Sequence, residues 1–118
     1  MNKIFYLINV LIVLSIFQFC SNPTESKNHP PEIQELILSK SQIETDEYIP
    51  ITAIAIDADG DSLNYFWSTA SGYIHISYIT ANPTLWRTPN TSGEYSVYCT
   101  VSDGKSIDSD SIIVSVGY

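Results

Sequence analysis

Residues 49–67 read I-P-I-T-A-I-A-I-D-A-D-G-D-S-L-N-Y-F-W, and the fold class turns on them. Before the acidic corner Asp57–Asp61, the residues Ile49, Ile51, Ala53 and Ala55 fall on one side of an alternating run. After the corner, Leu63, Tyr65 and Trp67 do the same. A period of two puts successive side chains on opposite faces of a strand, so each run buries one face and the glycine-bearing corner turns the chain between them. This patterning indicates antiparallel β-structure.

Working outward, the same signals recur at short intervals. Ile33–Leu38 reads as a first strand, Tyr48–Asp57 as the second and Ser62–Ser68 as the third. Tyr73–Thr80 follows Ser71-Gly72, and Thr84–Arg87 follows Asn82-Pro83. Glu94–Ser102 alternates with Tyr95, Val97, Cys99 and Val101 on one side, and Ile112, Val114 and Val116 mark a last strand after the Asp103-Gly104 turn. Tyr, Ile, Ser and Thr favour strands, and no segment carries a 3.6-residue apolar period. The expectation is an all-β, seven-stranded antiparallel sandwich over residues 32–118.

The N-terminus has a different character. Met1–Phe19 begins with Lys3 and continues as the apolar run Ile4–Phe19, shorter than the about 20 residues a spanning helix needs. It reads as an export signal over residues 1–19. Cys20 directly after the run resembles the bacterial lipoprotein signal, in which the cysteine becomes the lipidated first residue. Phe19 stands where that pattern has a small residue, and an uncleaved anchor or ordinary secretion are the other outcomes. The resemblance implies a membrane partner through the lipid at Cys20. Residues 20–31 would then form a polar tether containing Pro23, Pro30 and Pro31, reaching roughly 30 Å from the bilayer at about 3.1 Å per residue.

The formal charge of −8 and only five basic residues leave no patch to neutralise phosphates, which excludes nucleic-acid binding. His29 and His75 are far apart and have no third nitrogen or sulfur ligand beside them, so no zinc site is expected. There is no nucleophile elbow, no recognisable Ser/His/Asp set and no phosphate-cradling loop. The chain reads as a non-enzyme.

Several pieces together resemble an immunoglobulin-like bacterial extracellular module, nearest the PKD type and its cadherin-like and fibronectin-like relatives. They are N-x-P-P-x-I from Asn28, A-x-D-x-D-G-D-S-L-x-Y-x-W from Ala55, W-x-x-P from Trp86 and G-x-Y-x-V-x-C-x-V-S-D-G from Gly93. Trp67 is followed by Ser68-Thr69-Ala70 and not by the F-G-D-G continuation common in PKD domains. The resemblance implies a spacer, adhesion or binding module whose partner is an unknown protein or glycan, either free-standing or one unit of a longer surface protein. Trp67 and Cys99 occupy the tryptophan and disulfide-cysteine places of antibody-type domains. The second strand offers Ala53 and Ala55 where the partner cysteine would be, so Cys99 is expected to be a small buried hydrophobe. Tyr95, after Gly93, suggests a tyrosine corner.

Two sets of residues are candidates for binding. Asp57, Asp59 and Asp61 alternate as in a calcium loop, but an EF-hand would need glycine two places later and a glutamate where Ser68 stands. In a sandwich of this order, Asp57, Asp59, Asp61, Asp103 and the segment Asn28–Pro31 would converge at one end. Crowded carboxylates repel unless a cation or hydrogen bonds compensate. The cluster is therefore either a Ca²⁺ site or a turn whose aspartates accept backbone N–H groups. Tyr73, Tyr78, Trp86 and Tyr98 are candidates for an outward aromatic strip that docks a sugar or a protein. The competing reading is cross-strand pairing that only stabilises the sheet.

Overall fold

The acidic corner does not close a hairpin. In the computed structural model, which describes residues 26–117, it carries the chain from one sheet to the other. Strand β2 (Tyr48–Ile56) pairs antiparallel with β1 (Glu32–Leu38) and β5 (Thr84–Arg87), and β5 pairs with the short β4 (Tyr73–Ile74). Strand β3 (Asn64–Thr69) pairs with β6 (Gly93–Ser102), which pairs along its whole length with β7 (Ile107–Val116). The sheet orders β1-β2-β5-β4 and β3-β6-β7 are the four-plus-three layout of a constant-type immunoglobulin sandwich. Ile43, between β1 and β2, makes a parallel bridge to Val116 and so ties the first connection to the second sheet.

The inward faces form one core: Ile33, Ile49, Ile51, Ala53 and Trp86 from the four-stranded sheet meet Trp67, Val97, Cys99, Val101, Val114 and Val116 from the three-stranded one, with Ile43 joining them from the first connection. Trp67 and Cys99 stand opposite one another across the β3–β6 pair, and Tyr65 and Tyr95 pack against the same cluster. Burying an indole strands its N–H unless an acceptor is supplied. Trp67 Nε1 donates to the Ala81 carbonyl at 2.8 Å and Trp86 Nε1 to the Ser71 carbonyl at 3.0 Å. Tyr95 Oη donates to the Thr91 carbonyl at 2.7 Å, which is the tyrosine corner. Cys99 is a free, buried thiol, and burial pushes its pKa up to about 12, far from the thiolate that oxidation or metal binding requires.

Two expected strands are corrected. The run Tyr73–Thr80 is a strand only at Tyr73–Ile74, after which it folds into turns closed by Tyr78 N–H to the His75 carbonyl at 2.8 Å and Ala81 N–H to the Tyr78 carbonyl at 3.1 Å. This lets the Ile79 carbonyl accept the Trp67 N–H at 2.7 Å and cover the free edge of β3. His75 accordingly lies in a turn. The last strand begins at Ile107, not near Ile112, because β7 matches β6 from Ser102 back to Gly93.

Candidate functional site

Asp57 follows directly after β2 and caps its own turn. Its Oδ1 accepts the N–H groups of Asp59 at 3.0 Å and Asp61 at 3.1 Å, while Gly60, at φ 71°, donates its N–H to the Asp57 carbonyl at 3.1 Å. Asp103 does the same work after β6. Its Oδ1 accepts Lys105 N–H at 2.8 Å and Ser106 N–H at 2.7 Å, and its Oδ2 accepts the Asn28 side-chain amide at 2.9 Å. Chiefly the Ser106 N–H, then the Asn28 amide and the Lys105 N–H, hold the Asp103 carboxyl down at about 2.

These loops bring carboxylate oxygens of Asp57, Asp61 and Asp103 within 4.8 Å of one another. Asp57 Oδ2 is buried there with no hydrogen-bond partner among the described residues. An orphaned buried carboxylate oxygen is costly without a proton or cation beside it. Asp59, the fourth aspartate of the candidate set, turns away. Its Oδ2 accepts the His29 backbone N–H at 2.7 Å and its Oδ1 meets His29 Nδ1 at 2.8 Å. The hydrogen bond to Asp59 raises the His29 pKa, and the same two contacts lower that of Asp59. The segment Asn28–Pro31 does arrive at this end, with Pro31 buried. The His29–Asp59 pair was not foreseen. A lone histidine three residues before the first strand carries no pattern that would reveal it.

The aromatic candidates do not form one strip. Trp86 is corrected outright: it is 0% exposed in the core. Its place is set by Gly72, at φ +78°, where an added Cβ would stand 2.5 Å from Trp86 Nε1. Tyr73 and Tyr78 are exposed and flank His75 edge-to-face, with ring centroids at 6.2 and 6.4 Å. Tyr98 lies on the outward face of the other sheet, on β6. Sequence reasoning passed over its neighbour Phe66, also half exposed, although the parity that sends Trp67 inward sends Phe66 outward. Tyr48 is likewise exposed, under the guanidinium of Arg87 at 5.7 Å, while Arg87 also pairs with Asp46 at 2.7 Å.

The architecture agrees with what family comparison finds. The bacterial Ig domain model matches residues 28–116. The chain belongs to the bacterial Ig domain family. No curated protein matches the sequence. Among solved structures, this Ig domain is similar to carbohydrate-binding modules of the β-sandwich superfamily, at 23% identity and a TM-score of 0.61 over 78% of this chain and 36% of that one. It is also similar to a nucleoside hydrolase-related hypothetical protein from Saccharophagus degradans, associated with carbohydrate metabolism, at 21% identity and a TM-score of 0.57 over 75% and 26%. The Ig domain thus spans about a quarter to a third of those two longer chains, and at these identities the likeness is one of fold.

Proposed function

We propose that this bacterial Ig domain is a non-catalytic extracytoplasmic binding or spacer module, held at a membrane by a lipid on Cys20. The observation that carries the reading is the architecture itself: the two tryptophans and the aliphatic inward faces fill the space between the sheets, so what the domain offers a partner is its surface. The apolar run ending at Cys20 and the polar, proline-bearing segment behind it support the anchor. They lie outside the described residues except for 26–31. Within the family, the A-x-D-x-D-G-D-S-L-x-Y-x-W run supports a PKD-like subtype. Labelling with a palmitate analogue in cells should mark the wild type at the membrane. Cys20→Ala should lose both the label and sedimentation with membranes. Label retained in Cys20→Ala removes the anchor.

A second reading is favoured by a specific observation at the acidic end. Three converging carboxylates and the orphaned Asp57 Oδ2 fit a hard, oxygen-seeking cation such as Ca²⁺. Asp57, Asp61 and Asp103 would hold it, with Asn28 beside them, and the ion would stiffen the end where the chain enters the domain. Asp59 is engaged with His29 and stands outside this set. For partners of the module, a glycan gains support from the carbohydrate-binding modules that share the fold.

A further inference from the structure

The outward face of the β3–β6–β7 sheet is unlike the rest of this acidic chain. Its central rows, Phe66–Thr100–Ser109 and Ser68–Tyr98–Ser111, are two aromatic rings set in hydroxyls. The charged residue on the face, Glu94, stands at its far end opposite Ser115. In a molecule of net charge −8 a neutral face of this extent offers an ionic partner no opposite charge to pair with, and the field of the whole chain disfavours anions.

Phe66 is 51% and Tyr98 49% exposed. They are diagonal neighbours across β3 and β6, at a Cβ separation of about 7–8 Å or somewhat less. The aromatic contacts among the described residues are Tyr73–His75 and His75–Tyr78, so neither ring on this face is spent on a ring partner. Beside Tyr98 lies a shallow, open depression of about 490 Å³, lined from the outward rows by Ser68, Thr100, Ser109 and Ser111, with Cys99 and Asp110 of the opposite parity beneath them. Each hydroxyl both donates and accepts.

A pyranose ring has the complementary chemistry: an apolar C–H face that lies on an aromatic ring and a rim of hydroxyls that both donate and accept. An apolar peptide would leave the serines and threonines unpaired. An anionic polymer would meet the negative field of the whole chain. We propose that the outward face of the β3–β6–β7 sheet binds a neutral polysaccharide, with sugar rings on Tyr98 and Phe66 and sugar hydroxyls bonded to the Ser/Thr rows. This deepens the binding-module reading and rests on it.

The test is native gel mobility of the full chain, in non-ionic detergent, through gels cast with xylan, galactomannan or mixed-linkage β-glucan, with anionic alginate as the counter-probe. At least one neutral polymer should retard the wild type while alginate does not. Tyr98→Ala should weaken retardation about tenfold and Phe66→Ala several-fold, while Tyr98→Phe keeps the ring and most of the binding. Unchanged emission of the buried Trp67 and Trp86 shows that each variant is folded. No retardation by any neutral polymer, or equal retardation by alginate, overturns the inference. Retardation that survives in a folded Tyr98→Ala, Phe66→Ala double variant overturns this face while leaving a glycan-binding module standing. A wild-type dimer in sedimentation that Tyr98→Ala dissolves overturns it in favour of self-association. The membrane reading stands or falls separately, on the label at Cys20.

Discussion

Asparagine at position 57 separates the two accounts of the acidic end by the sign of its effect. Asp57 Oδ1 accepts two backbone N–H groups, and an asparagine carbonyl oxygen can keep both. What Asp57→Asn removes is charge, from a place where three carboxylates approach within 4.8 Å and one buried oxygen lacks a partner. Without metal, the variant should therefore melt at or above the wild-type temperature, because like-charge repulsion falls. With metal, the order should reverse.

The structure also bounds the size of the calcium effect. Asp57 and Asp103 each commit one carboxylate oxygen to backbone N–H groups, and Asp103 Oδ2 receives the Asn28 amide. Few oxygens are left for an ion that takes about six to eight, so the affinity belongs with weak extracellular modules, at Kd about 10⁻⁴–10⁻³ M. At about 10 mM free Ca²⁺ that stabilises the folded state by about 1.4–2.7 kcal/mol. For a domain of this size the melting temperature should rise by roughly 6–20 °C. Differential scanning calorimetry with calcium and with chelator measures it, and Asp57→Asn should show little of the rise. A wild type indifferent to calcium, together with a variant that melts lower in chelator, would refute the reasoning. It would show instead that the charge serves the backbone N–H groups alone.

Two other perturbations bear on the frame. Gly72→Ala places a Cβ at φ +78° against the Arg87 carbonyl and Trp86 Nε1, and should cost about 3 kcal/mol, read as a lower urea midpoint at unchanged slope. An unchanged midpoint would mean that Trp86 is not held by this contact. His29→Asn should lower the melting temperature most between the ordinary values of the pair, 3.8 for Asp59 and 6.5 for His29. His29 is raised, so its contribution is complete below its ordinary value and fades as pH rises through the folded one; Asp59 is lowered, so its contribution fades as pH falls. A gap between the two proteins that does not change from pH 5 to pH 8 would remove the pair as a pH-dependent tie.

The alternating runs Tyr48–Ile56 and Gly93–Ser102 could be read from sequence because both lie inside their sheets, with one face in the core along most of their length. The failures fall at edges, where pattern competes with other demands. Ile107–Ser111 reads as polar because β7 is an edge strand, and Asp108 and Asp110 share the parity of buried Val114 and Val116. Inward-facing charge at an edge discourages pairing with another chain, and Asp108 Oδ2 is put to use accepting the Ile33 N–H at 2.8 Å. Tyr73–Thr80 alternates well enough to be a strand, yet Ile76 ends 73% exposed. Covering the edge of β3 through the Ile79 carbonyl outweighs burying that isoleucine.

The acidic corner resists sequence reading for a different reason. Asp57, Asp59 and Asp61 are equivalent by type and spacing, and only the left-handed Gly60 between them decides that Asp57 and Asp61 face Asp103 while Asp59 faces His29. Even with the geometry known, one residue serves two ends: Asp57 Oδ1 satisfies the turn that the backbone requires, and Oδ2, on the same carbon, is the oxygen left unsatisfied. An asparagine at 57 could keep both N–H groups, losing only the strengthening that a charged acceptor gives them. The aspartate's charge is what a cation would use, and the melting order of the two proteins with and without calcium therefore reports which demand the corner was built to meet.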